Sequence, residues 1–381
     1  MRLTDADRFA DSAAAYVHIP FCSAICPYCD FAVVAGRDEL VARYVAAVRT
    51  EIERSEAWRP FDAVYFGGGT PSHIDPLLLG SILQSLERRH GIASDAEISL
   101  EANPEDFDTE RARRLRSAGF NRVSFGAQSF DAGVLAGLGR RHGPRQIEES
   151  VEAATSAGFD SVSVDLIFGT PGESDGSWQR SLERAVGTGV PHVSCYALTV
   201  ERGTPLGRAV RSGAMAPDPD VQAERYERAV AILGMSGFER YEVSNWARPG
   251  HECHYNLVVW AQGQYEAYGN GAHGFRAGVR YRNHRRVDAY IDRIESGRSP
   301  RAGAEPVSGW DAELDRLFVG LRRSAGVSPG PGTEALLASA DGKSLVESGI
   351  IDVEEGCVRV RNPLVTDAVH RSVLGLTPLS S

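Results

Sequence analysis

The stretch Tyr16-Val-His-Ile-Pro-Phe-Cys-Ser-Ala-Ile-Cys-Pro-Tyr-Cys-Asp-Phe31 joins a strand-like run to a loop carrying three of the chain's six cysteines, Cys22, Cys26 and Cys29. The spacing CxxxCxxC offers three thiolates from one tight loop. No fourth Cys or His follows nearby, which suits an iron–sulfur cluster better than tetrahedral zinc. A zinc or purely structural loop is the alternative that the spacing alone leaves open. The site is one ligand short: in a 4Fe–4S cluster the fourth iron would be open to a small molecule, so the centre would bind a ligand as well as carry an electron.

Working outward, Ala15 to Ile19 reads as a short strand ended by Pro20. The segment from about Asp38 to Ser55 reads as a helix, with Leu40, Val41, Tyr44, Val45 and Val48 at helical spacing. The unit then repeats. Strands are expected at Phe61–Phe66, Glu97–Glu101, Asn121–Phe125, Val162–Ile167 and His192–Ala197, with helices at Leu77–Arg89, Thr109–Ala118 and after the later strands. Six strands alternating with helices call for a parallel sheet with right-handed crossovers, and the Gly-rich or polar residues fall at the C-terminal strand ends, where barrel enzymes carry their sites. The expected fold is therefore α/β, an incomplete (β/α)6 barrel open on one side.

Beyond a helix at Val221–Met235 the passage Tyr241–Phe275 reads as irregular, and Gly297–Pro306 as a linker. Helices at Glu313–Leu321, Gly332–Ser348 and Leu364–Leu374 surround a hairpin at Ile350–Arg361 with Glu355-Gly356 at its turn, a small winged-helix-like unit read as a lid or docking element. The expected division is a barrel core over 14–240, a motif-bearing extension and linker over 241–305, and the C-terminal unit over 306–381.

The 381 residues suffice for this division, and a net charge of -10 argues against a nucleic-acid footprint. No apolar run reaches membrane-span length, and Met1 to Ser12 is polar with acidic residues, unlike a signal peptide. A cluster loop needs reducing surroundings, so a cytoplasmic location without disulfides is expected.

The motifs downstream of the cysteines are Gly67-Gly-Gly-Thr-Pro-Ser72, Glu101-Ala-Asn-Pro104, Gly126-Ala-Gln-Ser129, Asp165-Leu-Ile-Phe-Gly-Thr-Pro-Gly172 and Tyr241-Glu-Val-Ser-Asn245. In this order they resemble the radical S-adenosylmethionine superfamily, in the branch related to oxygen-independent coproporphyrinogen III oxidase. Within that branch the resemblance is closest to the heme chaperones, because the oxidase usually carries a fourth cysteine two residues after the third, where this chain has Phe31.

The resemblance implies that Cys22, Cys26 and Cys29 bind a 4Fe–4S cluster, that an electron donor reduces it, and that S-adenosylmethionine is cleaved to a 5'-deoxyadenosyl radical. It places Tyr16, Tyr28, Gly68, Gly69, Thr70, Glu101, Gln128, Arg140, Asp165 and Ala197 around S-adenosylmethionine, with the glycines letting backbone approach the methionine amino group and Arg140 pairing with its carboxylate. It also implies a heme-associated pattern HNxxYW. Here that segment reads Cys253-His-Tyr-Asn-Leu-Val-Val-Trp260: Asn256 and Trp260 match, but the His is Tyr255 and the Tyr is Val259. Cys253, His254 and Tyr255 are the heme-ligand candidates. The implied function is binding heme and passing it to an acceptor protein. The alternative is a radical enzyme, either a decarboxylase of coproporphyrinogen III or a methyl or methylene transferase on a small molecule.

Several residues have plainer readings. Glu101 and Asp165 could cap helices, Arg140 beside Arg141 could be a solvated pair, His18 could be a core histidine, and Cys195 and Cys357 read as small core residues. Gly269-Asn-Gly-Ala-His-Gly274 spells a dinucleotide fingerprint, but no helix pattern opens after it. Gly342-Lys-Ser344 lacks the earlier glycine of a phosphate loop.

Overall fold

The structure, a computed structural model, describes residues 9–378. Of the polar N-terminal stretch, residues 1–8 lie outside it. Six parallel strands lie side by side in chain order: β1 (Ala13–Ile19), β2 (Phe61–Gly68), β3 (Ile92–Ala102), β4 (Arg122–Gln128), β5 (Ser161–Phe168) and β6 (His192–Ala197). Helices α1 (Val41–Arg54), α2 (Pro76–Arg89), α3 (Thr109–Ser117), α4 (Ala132–Gly137), α5 (Pro144–Ser156) and α6 (Asp175–Gly187) make the crossovers, and α7 (Pro205–Arg211) and α8 (Pro219–Met235) follow β6. This is the partial barrel expected.

Local chemistry sets the helix starts. Asp75 accepts the Leu77 N–H at 2.8 Å, Asp108 the Arg111 N–H at 2.8 Å and Ser174 the Ser177 N–H at 3.1 Å, each satisfying a first-turn donor. Proline opens α2, α5 and α8, where its missing donor costs nothing.

The sheet extends past both ends of the six. At the β6 edge, β7 (Glu239–Arg240) and β8 (Asn245–Ala247) add antiparallel. At the β1 edge, β9 (Gln264–Tyr268) pairs parallel with β1, and β10 (His273–Arg276), β11 (Val279–Asn283) and β12 (Arg301–Pro306) continue antiparallel. The order is β12-β11-β10-β9-β1-β2-β3-β4-β5-β6-β8-β7. Helix α9 (His254–Trp260) precedes β9 and α10 (Val287–Glu295) precedes β12.

Tyr241–Phe275 is thus not irregular, and the linker expected at Gly297–Pro306 ends in an edge strand. All of Arg301–Pro306 except Gly303 is exposed, so β12 carries no buried alternation to read. The Gly269–Gly274 run covers the turn from β9 and the first two residues of β10, with no helix directly after it.

Strand side chains alternate between two environments. Val123, Phe125, Val164, Leu166 and Val193 are fully buried in the core that the strands share with the outer helices. The opposite face carries Glu101 on β3, Arg122, Ser124 and Gln128 on β4, Ser163 and Asp165 on β5, and His192 and Ser194 on β6. A period of two therefore separates an apolar outside from a polar inside.

The C-terminal unit comprises α11 (Gly309–Gly320), α12 (Pro331–Ala338), α13 (Ala340–Glu347), the hairpin β13 (Ile351–Glu354) and β14 (Cys357–Val360), and α14 (Thr366–Leu374). The single helix expected over Gly332–Ser348 is divided at Ser339, whose extended backbone ends α12 and whose hydroxyl accepts the Gly342 N–H to start α13. Leu317, Leu336, Val358, Val369 and Val373 form a core of this unit's own.

In the main core, Phe66 meets Phe120 edge to face at 5.1 Å, both fully buried. Phe66→Ala is expected to lower unfolding free energy by about 3–5 kcal/mol in denaturant titration. A loss under 1 kcal/mol would show that this contact does not anchor the sheet to its helices.

Candidate functional site

The polar inner face encloses a cavity of about 480 Å³. Its lining includes Gly68, Gly69, Thr70, Ala102, Gln128 and Ala197 at the C-terminal strand ends, and also Arg122 and His192 at the N-terminal starts of β4 and β6. Arg122 and Gln128 pair with Ser161 and Leu166, five steps apart on β5 at ~3.3 Å each, so the lining reaches roughly 16 Å along the strands.

The cysteine loop covers the C-terminal end, and Cys22, Cys26 and Cys29 all line the cavity. The loop is held by its own backbone and by neighbours on several elements. Cys29 N–H donates to Cys26 O at 3.1 Å, and the Ala32 carbonyl accepts from both His18 Nε2 and Asn270 Nδ2, each at 3.1 Å. Burial keeps His18 neutral, with its pKa lowered to about 4, so Nε2 carries the proton and Nδ1 accepts from the Tyr16 hydroxyl at 3.1 Å. His18 is a satisfied core histidine. Asn270, from the fingerprint-like turn, is fully buried and also donates to Arg285 O at 2.9 Å.

A polar chain links two of the cysteines from behind. Arg140 Nη1 donates to Cys26 Sγ at 3.4 Å and Nη2 to Asn103 Oδ1 at 2.5 Å; Asn103 Nδ2 donates to Thr70 Oγ1 at 3.1 Å, and that hydroxyl reaches Cys22 Sγ at 3.6 Å. Arg140 is therefore no solvated surface pair: it is engaged with the loop and with Gly126 O at 2.9 Å. Burial pushes the Cys22 thiol up to about 11.

The glycines have a steric reason that needs no ligand. A Cβ on Gly68 would stand 2.3 Å from the His18 ring at a φ of +114°, and one on Gly69 would stand 2.7 Å from Pro20 backbone. The Gly68 N–H donates to Glu101 Oε2 at 3.0 Å, and the Tyr65 hydroxyl donates to Oε1 at 3.0 Å. Burial raises the Glu101 carboxyl to about 7; nearby Asp165 adds to the rise, and the two hydrogen bonds oppose it. Asp165, itself raised by burial, accepts from Ser124 Oγ at 3.0 Å. Neither carboxyl serves as a helix cap. Gln128 takes a left-handed φ of +63° beside a register shift in β4, an uncommon backbone for a non-glycine residue.

Of the expected site residues, Tyr28, Gly68, Gly69, Thr70, Glu101, Gln128, Arg140, Asp165 and Ala197 line this one cavity. Tyr16 is not in the lining: it lies against Tyr65 and Tyr255, with ring centroids 6.3 and 5.9 Å away. The heme-ligand candidates diverge. Cys253 is buried and lines the cavity, Tyr255 stacks on Tyr65 at 5.0 Å, and His254 is exposed beside Phe9. Helix α9 turns successive side chains by about 100°, and among the described residues these three do not come together as a metal-holding group.

Sequence reasoning missed Tyr65, Asn103, Arg122, Ser124, Ser163, His192 and Ser194, all lining the cavity. The signal was present: Arg122, Ser124 and Gln128, or His192 and Ser194, are polar residues at even spacing within strands otherwise apolar.

The comparisons with known proteins bear on this site. The radical SAM superfamily matches residues 16–185. The heme chaperone HemW of Mycobacterium tuberculosis is 39% identical over 376 residues, covering 94% of each chain. This chain belongs to the HemW family. The HemW of Bacillus subtilis is 35% identical, covering 95% of this chain and 99% of its own. The solved structure of Escherichia coli HemN, described as a radical SAM coproporphyrinogen III oxidase, superposes with a TM-score of 0.83 over 97% of this chain and 91% of its own; at 22% identity this shows the shared fold. Among the described residues no helix is long and apolar enough to cross a membrane.

Membership in this family implies a 4Fe–4S cluster and S-adenosylmethionine, and the residues present fit both. The three thiols sit on one loop and line one cavity, and a cluster takes one thiolate per iron. Glu101 and Asp165, two buried carboxyls facing one cavity, suit a ligand bearing an ammonium, a sulfonium and ribose hydroxyls. Such a ligand favours ionised Glu101, whose protonation near pH 7 opposes binding. S-adenosylmethionine affinity is expected to fall about tenfold from pH 8 to pH 6, and Glu101→Gln to bind more weakly with a flattened profile. Isothermal titration across that range checks this; a wild-type profile independent of pH would separate Glu101 from the ligand.

Proposed function

We propose that this chain is a heme chaperone: a cytoplasmic radical SAM protein that binds heme and passes it to an acceptor protein. The observation that carries the reading is the near end-to-end likeness to HemW of two bacteria, together with Phe31, 65% exposed, where the oxidase usually has a further cysteine.

In this reading Cys22, Cys26 and Cys29 hold the cluster, and Gly68, Gly69, Thr70, Glu101, Gln128, Arg140, Asp165 and Ala197 bound the space for S-adenosylmethionine. Tyr28 supports the loop from a small apolar cluster with Val134 and Leu138, and Tyr16 supports it through His18. Bound there, the pair supplies one-electron chemistry. The chain's own residues do the rest: Arg140 and Thr70 donate toward sulfur, which tunes how readily a cluster is reduced, and the buried lining limits water. Arg140 is held against the loop by Cys26 and against β4 by Gly126 while it lines the cavity, and in this reading it pairs with the methionine carboxylate.

His254 is the heme ligand this arrangement favours. Burial holds both the Cys253 thiol and the Tyr255 phenol above their usual pKa, so neither readily becomes an anionic ligand, whereas His254 is exposed on the outer side of α9. The accompanying division is a radical SAM core over 14–240, an extension over 241–305 that carries α9, and a C-terminal docking unit over 306–381. A radical enzyme acting on a small molecule is the second reading, favoured by the depth of the cavity beyond the cysteine loop.

Two measurements test this. Anaerobically reconstituted protein titrated with heme is expected to bind one equivalent saturably, to lose that binding in His254→Ala and to keep it in Tyr255→Phe. The reverse pattern would move the ligand to the inner side, and no saturable binding in wild type would overturn the chaperone reading. Cys26→Ala is expected to abolish cluster absorbance with circular dichroism unchanged; full iron and sulfide in that variant would remove the cluster assignment.

A further inference from the structure

The C-terminal end of β4 is shaped from behind by one buried side chain. Ala127 O accepts the Ser129 N–H at 2.8 Å, a hydrogen bond that closes across Gln128 alone and goes with its left-handed φ of +63°. So tight a turn at positive φ is rare and strained, and a residue other than glycine adopts it only where its surroundings impose it. His142, in the loop between α4 and α5, donates to the same Ala127 carbonyl from Nε2 at 3.0 Å. Its Nδ1 lies 3.0 Å from Glu105 Oε2, in the turn after β3. A carbonyl and a carboxylate only accept, so the ring presents an N–H to each, and Glu105 fixes the ring's orientation. Burial acts to raise the Glu105 carboxyl, but the hydrogen bond from His142 outweighs it and holds the group below the usual carboxylate range. The His142 side chain is wholly inaccessible to solvent.

What this turn sets is a side chain of the cavity wall. A Cβ built on Gly126 would stand 2.9 Å from Gln128 Nε2, 3.4 Å from Asn103 Oδ1 and 3.5 Å from Arg140 Nη2. Three polar groups therefore gather over that glycine, and all three residues line the cavity, whereas His142 does not. Asn103 and Arg140 are bonded to each other, and the left-handed turn brings the Gln128 amide beside them. We infer that His142 is a positioning residue for S-adenosylmethionine: anchored by Glu105 and bonded to Ala127 O, it holds the turn that directs Gln128 into the ligand space, and it acts from outside the cavity lining. A core histidine could be satisfied by any two acceptors. Here one of the two is the carbonyl on which the backbone of a cavity residue turns. The inference rests on the placing of Gln128 beside S-adenosylmethionine in the reading above and is independent of heme.

The test is a double-mutant cycle on anaerobically reconstituted protein, with S-adenosylmethionine affinity read by isothermal titration and with iron content and circular dichroism as controls. Gln128→Ala and His142→Leu are each expected to weaken binding about tenfold, the scale of one lost hydrogen bond. The double variant is expected to bind no more weakly than the weaker single one, because His142 acts through Gln128; independent causes would multiply their losses. His142→Asn, polar but too short to bridge the two acceptors, replaces His142→Leu if the apolar variant loses iron or circular dichroism, with the same expectation. His142→Gln, long enough to donate to Ala127 O, is expected to regain most of the affinity. Wild-type affinity in His142→Leu or His142→Asn while Gln128→Ala is weakened, or losses that multiply in the double variant, would overturn the inference. Unchanged affinity in Gln128→Ala would instead remove Gln128 from the ligand space, and with it the reading on which the inference stands.

Discussion

One backbone carbonyl ties the cofactor loop to the sheet. Ala32 O accepts from His18 on β1 and from Asn270 in the turn after β9, so two adjacent parallel strands grip the loop at one point. The grip requires His18 to be neutral and closely packed, which burial ensures, and it requires Gly68 and Gly269 to lack side chains, since a Cβ on either would collide with His18. Tyr44 reinforces it by donating to His18 O at 2.7 Å. Of the glycine run, Gly68 thus follows from the packing of a histidine behind the loop, whereas Gly69 is set by Pro20 and Gly67 by Tyr65 and Glu101.

The barrel's sidedness comes from the same elements. Each strand has one apolar face toward the helices and one polar face inward, so the interior holds a space lined by groups that hydrogen-bond, where a filled barrel would have layers of branched side chains. Buried carboxyls, hydroxyls and a guanidinium are costly to keep away from water. They persist here because most are partnered, as Ser124 is with Asp165 and Tyr65 with Glu101.

How much was legible follows from these facts. The six strands and their crossovers could be read because apolar strand runs, helical spacing and glycine turns repeat with one rhythm, and the cysteines and strand-end carboxyls announce the site. The added strands could not. Gln264-Tyr-Glu-Ala-Tyr268 is short and ends in the Gly269 turn, and Arg301–Pro306 is exposed along nearly its whole length, so neither shows a buried period. The different environments of His254, exposed, and Tyr255, stacked on Tyr65, depend on how α9 is rotated against β1, β2 and β9, which neighbouring letters do not specify. Arg122 and His192 look like ordinary strand-edge residues until the strands are assembled side by side.

Exposure along the cavity is graded: Phe31 and Ile25 on the cysteine loop are 65% and 49% exposed, whereas Arg122 and His192 are nearly inaccessible and Cys253 and Asn256 of the α9 segment border the inner end. The two ends of one space therefore lie at different distances from bulk water, and a change on the cysteine loop alters access to the interior without touching the strands that line it.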